Sequence, residues 1–141
     1  MPFLAEATQT MAAPPEVIFD RLADYGSWRS WMPRSFQPIG RAVGPLRVGD
    51  RLKVRIGGLP SVLNVTVVDR AREIAWTGGI GFLLSAEHRF LFEPDGASST
   101  RVRSVETWRG ILAPILRPVV RRAAEHVGKL QLAGLARAFV S

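Results

Sequence analysis

An imidazole and a carboxylate that face one another can pass a proton between them, and His88 and Glu106 have the spacing to do so. Both lie in the stretch SAEHRFLFEPDGASSTRVRSVETWRG, Ser85 to Gly110, which reads as two strands around the turn signal Glu93-Pro94-Asp95-Gly96. Side chains alternate along a strand. If Phe90 and Phe92 point inward, so does His88; if Trp108 points inward, so do Glu106, Ser104 and Val102. The turn then sets Phe92 opposite Val102, Phe90 opposite Ser104, and His88 opposite Glu106. This predicts a cross-strand His88–Glu106 pair, of the kind that stabilises a sheet when the charges are opposite. Such a pair could serve as general acid and base. It could equally be a satisfied structural contact, or a one-residue bulge could turn Glu106 to solvent. An ionised carboxylate in a dry core is costly unless paired, so the two groups should satisfy each other or share a wet or ligand-filled space.

Other chemistries find little support. The sequence has no cysteine, which excludes thiolate nucleophiles, disulfides and Cys-based metal sites. It has no G-x-S-x-G, P-loop or dinucleotide fingerprint, and nothing pairs His126 with His88 at metal-ligand spacing. No metal and no cofactor are expected. The net charge of +7 permits acidic partners, but the basic residues are scattered singly and no nucleic-acid-binding signature accompanies them, so no nucleic-acid partner is expected. The segment MPFLAEATQTMAAPPE lacks a basic start and a continuous apolar run, and no stretch is apolar enough for a membrane span; a soluble, cytoplasmic protein is expected.

The elements that must position His88 and Glu106 can be read from periodicity. At 141 residues, without an internal repeat or linker, residues 1–141 read as a single domain. Phe3 to Met11 can form a first strand. Ala13-Pro14-Pro15-Glu16 then opens a short helix ending near Gly26, and Ser27 to Met32 forms a second, stopped by Pro33. From Phe36 the pattern turns to strands: Leu52, Val54 and Ile56 alternate with Arg51, Lys53 and Arg55, followed by a turn at Gly57 to Pro60. Val62 to Val68 and Glu73 to Thr77 follow as strands, the latter ending in Gly78-Gly79. After Gly110 the period becomes helical, with an apolar stripe through Leu112, Ile115, Leu116, Val119, Val120, Ala123, Val127, Leu130 and Ala133. From Pro118 to Val140 this helix could run about 34 Å. The segregation of strands and helices predicts an α+β fold.

That order, with Ala13-Pro-Pro-Glu-Val-Ile-Phe19, Leu22-Ala-Asp24, Trp28-x-x-Trp31-Met-Pro33, Trp76-x-Gly78, Glu87-His88-Arg89-Phe90 and Glu106-Thr-Trp108-Arg-Gly110, resembles the START/Bet v 1-like (SRPBCC) superfamily, in particular its polyketide cyclase/dehydrase-like branch. The resemblance covers nearly the whole chain. It implies a helix-grip fold: a curved antiparallel sheet of about seven strands wrapped around a long C-terminal helix, with two short helices after the first strand. It also implies a cavity between sheet and helix for an apolar or aromatic molecule.

With that cavity, parity and helical spacing name a lining. Trp76, His88, Phe90, Phe92, Ser104, Glu106 and Trp108 come from the strands, and Leu116, Val120, Ala123 and Val127 from the helix. Trp28 and Trp31 share a face; they could plug one end of the core, form the cavity mouth, or touch a membrane beside Arg29 and Arg34. The loops Gly57 to Pro60 and Gly78 to Leu84 carry more apolar side chains, Phe82 among them, than turns need, as a ligand portal would. The expected function is binding or transport of a small hydrophobic or aromatic molecule, lipid or polyketide-like. Two alternatives stand beside it: an aromatase/cyclase using His88 and Glu106 as acid and base, and a module docking transiently on a membrane or partner. Oligomeric state is not legible in the sequence.

Overall fold

The computed structural model describes residues 2–139. Strand β1 (Phe3–Met11) leads into helix α1 (Pro15–Ala23), a 3-10 turn (Tyr25–Ser27) and the short helix α2 (Trp28–Trp31). Six strands follow: β2 (Phe36–Pro38), β3 (Arg51–Ile56), β4 (Leu59–Asp69), β5 (Glu73–Ile80), β6 (Leu84–Pro94) and β7 (Thr100–Arg109). Helix α3 (Ala113–Arg137) closes the described chain; Val140, where the helical pattern is expected to end, lies outside the described residues.

All seven strands form one antiparallel sheet in the order β1-β7-β6-β5-β4-β3-β2. Sequential hairpins build β2 to β7, and β1 returns to pair with β7, from Phe3 opposite Trp108 to Met11 opposite Thr100. A register shift between Val65 and Val67 marks a bulge in β4, a device that increases strand twist and bends a sheet. The sheet curls around α3: this is the α+β helix-grip fold.

Two strand boundaries differ from the sequence reading. Leu59 and Pro60 belong to β4, because Gly57 and Gly58 both adopt positive φ (57° and 86°) and complete the reversal in two residues. Strand β5 continues through Gly78 and Gly79 to Ile80, paired with β6 up to Leu84.

The core lies between the concave face of the sheet and the two short helices. Trp28, with no solvent exposure, is its hub: its indole N–H donates to the Leu22 carbonyl at 2.8 Å, and its ring meets Tyr25, Phe36 and Trp76 at centroid distances of 4.9, 5.9 and 5.3 Å. Phe90 packs on Trp76 at 5.3 Å and Phe92 on Phe19 at 5.4 Å.

Helix α3 is held at its two ends and free between them. At its start Ala113 is fully buried, and the Leu112 N–H donates to the Leu83 carbonyl at 3.0 Å. From Ala124 onward its buried face runs through Gly128, Gln131, Leu132, Gly134 and Leu135. There Gly134 lies against the Trp31 backbone, so close that a Cβ would collide with the Trp31 carbonyl oxygen. Between these ends the helix stands off the sheet: Ile115 is 75% and Val119 73% exposed. The expected apolar stripe is therefore corrected at Ile115, Val119 and Leu130, which are exposed; near Leu130 the helix is rotated to seat Gln131 and Leu132 instead.

Candidate functional site

The space left under the free part of α3 is a cavity of about 520 Å³. It is walled by β2 to β7 on one side and by Val119, Val120, Ala123, Ala124, Val127 and Gln131 on the other. Among the sheet residues facing it are Trp76, Trp108, His88 and Glu106. Most of this wall is apolar, as hydrophobic-ligand sites are.

The hairpin delivers His88 and Glu106 as parity requires: the two are register partners, as are Phe90 with Ser104 and Phe92 with Val102. Their outward neighbours behave as the opposite face should, with Arg89 bridging Glu73 at 2.7 Å. His88 Nδ1 stands 3.5 Å from Glu106 Oε1, and His88 Nε2 shares a 2.7 Å hydrogen bond with the Ser104 hydroxyl. The imidazole is further confined by Phe90, stacked at 4.3 Å, and by the edge of Trp76 at 5.2 Å.

The expected opposite charges are not there. Burial holds the His88 imidazole down to about 3, so it is neutral at physiological pH. Burial also pushes the Glu106 carboxyl up to about 7, the nearby Trp108 indole N–H pulling weakly the other way. A neutral imidazole thus faces a carboxyl group held well above the usual carboxylate range. The arrangement can hold a proton at the cavity wall and give it up without a large change in pH.

Of the residues expected to line the cavity, Trp76, His88, Glu106 and Trp108 do so from the sheet, and Val120, Ala123 and Val127 from the helix. The others lie elsewhere. Trp28, Trp31, Phe90 and Phe92 are buried in the solid core, where α1 and α2 fill the end of the grip. Ser104 is buried beneath α3, with Gly128 directly above its hydroxyl, and touches His88 from behind. Leu116 shares the helix face of Val120 but sits a turn nearer the Leu112–Leu83 junction and is only half-buried. Phe82, 76% exposed, projects from the turn between β5 and β6, which breaks the strand alternation before Leu84.

Several lining residues were not expected from the sequence, among them Phe36, Ser61, Leu63, Ala86, Ala124 and, of most consequence, Gln131. Gln131 is 1% exposed and faces the cavity, yet neither atom of its amide has a hydrogen-bond partner. Its signal was present: Gln131 follows Val127 by four residues and so shares its helix face. Among the described residues no group of three His, Asp or Glu side chains could hold a metal ion, and no helix is long and apolar enough to cross a membrane.

Comparisons with known proteins agree with this architecture. The family described as polyketide cyclase/dehydrase and lipid transport matches residues 2–140. A START superfamily protein from Mycobacterium smegmatis superposes with a TM-score of 0.72 at 22% identity, covering 96% of both chains. The Zhui aromatase/cyclase from a Streptomyces species gives 0.71 at 16% identity, over 98% of this chain and 93% of its own. A hypothetical protein from Helicobacter pylori gives 0.80 at 17% identity, over 98% and 88%. At these identities the likeness is one of fold. No curated protein matches the chain.

Proposed function

Since the chain belongs to the polyketide cyclase/dehydrase and lipid transport family, we propose that it binds and carries a small hydrophobic or aromatic molecule in the cavity under α3. The observation that supports this best is the cavity itself: about 520 Å³ within an apolar wall that carries a few polar groups. That is the ordinary makeup of a small-molecule site, in which apolar contact supplies affinity and the polar groups supply orientation. Native mass spectrometry of the purified protein, before and after organic extraction, tests it together with displacement of an apolar fluorescent probe. The reading fails if no bound species and no displaceable probe are found.

A second reading is favoured by one specific feature. Glu106, with its carboxyl pushed up to about 7, and the neutral His88 face the same cavity, which is where an acid/base pair for aldol cyclisation of a poly-keto chain would have to sit. An ionised Glu106 would take a proton from carbon between two carbonyls, and the protonated form would return one to a departing hydroxyl. Turnover of a poly-keto substrate that is unchanged in both His88→Ala and Glu106→Gln would sink this enzymatic role while leaving the carrier role standing.

The cavity rim bears on how a ligand would arrive. Leu59, Ile80, Phe82, Ile111, Ile115 and Val119 are all more than 60% exposed and cluster on the turns and helix around the opening. With Arg117, Arg121 and Arg122 on the same part of α3, this edge suits transient contact with an anionic membrane surface, which salt-sensitive binding to anionic vesicles would register.

A further inference from the structure

The polar groups of the cavity wall have a composition that restricts what they can meet. Gln131 offers a carbonyl oxygen and an amide N–H pair, all without partners in a residue 1% exposed. The Trp108 indole N–H makes no hydrogen bond of full geometry but is turned toward the Glu106 carboxyl. Glu106 can accept when ionised and donate when protonated, while the Nε2 of His88 is already taken by Ser104. Helix and sheet place these groups on one cavity: Gln131 enters it from α3, and His88, Glu106 and Trp108 from β6 and β7. A buried amide left without partners is costly, so a wall that keeps both amide atoms of Gln131 unpaired among apolar neighbours is built for a group that satisfies them.

The charge of that group is restricted as well. Among the described residues lining the cavity there is no lysine or arginine, and Glu106 and His88 are the only ionisable side chains. An anionic group would be buried without a counter-charge and beside a carboxyl. A hydroxyl, phenol or keto-enol group, able both to donate and to accept, meets Gln131 and Glu106 with no such penalty.

We propose that Gln131 and Glu106, with the Trp108 indole, form a recognition site for an uncharged hydroxyl or keto-enol group, so that the cavity selects neutral oxygenated aromatic or alicyclic molecules over fatty acids and other carboxylates. This rests on the cavity being a ligand site, as proposed above.

Three probes with one ring system separate the two proposals: naphthalene, 2-naphthol and 2-naphthoic acid, titrated calorimetrically at about pH 8, where the acid is ionised and the naphthol is not. Naphthol is expected to bind roughly tenfold more tightly than naphthalene, and naphthoate more weakly than both. In Gln131→Leu the naphthol advantage is expected to vanish while naphthalene binding persists. Gln131→Met, a straight-chain replacement, serves as a second variant, and thermal unfolding of each verifies the fold. Naphthoate binding as tightly as naphthol, or an unchanged naphthol preference in both variants, would overturn the selectivity while leaving the carrier reading intact. If naphthalene and the other two all fail to bind, the carrier reading falls and the selectivity with it.

Discussion

His88 is gripped from behind by Ser104, 2.7 Å from its Nε2, while its Nδ1 meets Glu106 across the strands at 3.5 Å. The imidazole is therefore oriented by a hydroxyl that the cavity does not reach, and the carboxyl that does reach the cavity has a neutral ring for a neighbour.

The two groups should pull stability in opposite directions with pH. Glu106 titrates at about 7 in the fold against an ordinary 4.5, so the native state keeps its proton where the unfolded chain has lost it. Its contribution is full below about 4.5 and lost as pH rises towards 7, on the order of 3 kcal/mol in all. His88, lowered from 6.5 to about 3, contributes stability that is full above about 6.5 and lost as pH falls towards 3. Glu106→Gln removes the first effect alone. Its Tm relative to the wild type is expected to climb as pH rises from about 4.5 to 7 and then level off; a constant difference would contradict the burial of a titrating Glu106.

Ser104→Ala should cost about 1 to 2 kcal/mol, because it leaves a buried ring nitrogen without its partner. Chemical denaturation would measure this as a lower midpoint with unchanged slope. A loss under about 0.3 kcal/mol would mean that the hydroxyl does not hold the ring.

Gln131→Leu should stabilise the ligand-free protein. It removes two buried amide atoms that have no partners, each of which carries a desolvation cost of about 1 to 3 kcal/mol. Tm is expected to rise by several degrees. A drop in Tm would show that the amide is satisfied in the folded protein.

Ala123→Trp should block the cavity and spare the fold. Ala123 lines the opening on an exposed part of α3, so an indole there can occupy ligand space without displacing core atoms. Affinity for an apolar probe is expected to fall roughly tenfold or more, with stability changed by less than about 0.5 kcal/mol. Probe affinity equal to the wild type would move the binding site elsewhere.

Gly134→Ala, in contrast, should destabilise by about 1 to 3 kcal/mol, since its Cβ would press into the Trp31 carbonyl and lift the packed end of α3. Thermal unfolding would record a lower Tm; an unchanged Tm would mean that helix and α2 adjust freely.

The hairpin register was legible because period-two alternation and a Pro-Asp-Gly turn leave few ways to pair β6 with β7. The charge state of its polar pair was not, because it depends on how deeply both groups are buried, and alternation says only which face they share. Trp28 and Trp31 illustrate the same limit: their three-residue spacing gives one helix face, but whether that face meets a cavity or a solid core depends on where α1 and α2 dock. The polar lining was missed at Gln131 because an apolar stripe through Val127 continues as well to Leu130 by hydropathy as to Gln131 by position. Only the rotation of the helix against β1 and β7 decides between them.

Helix α3 is a span resting on two piers, Ala113 at one end and the Ala124 to Leu135 face at the other. Load-free positions between the piers, residues 114–123, can change size or polarity without disturbing the masonry beneath them. Along this part of the helix, the shape of the chamber can change without touching the piers, so a lineage could retailor the guest while keeping the house.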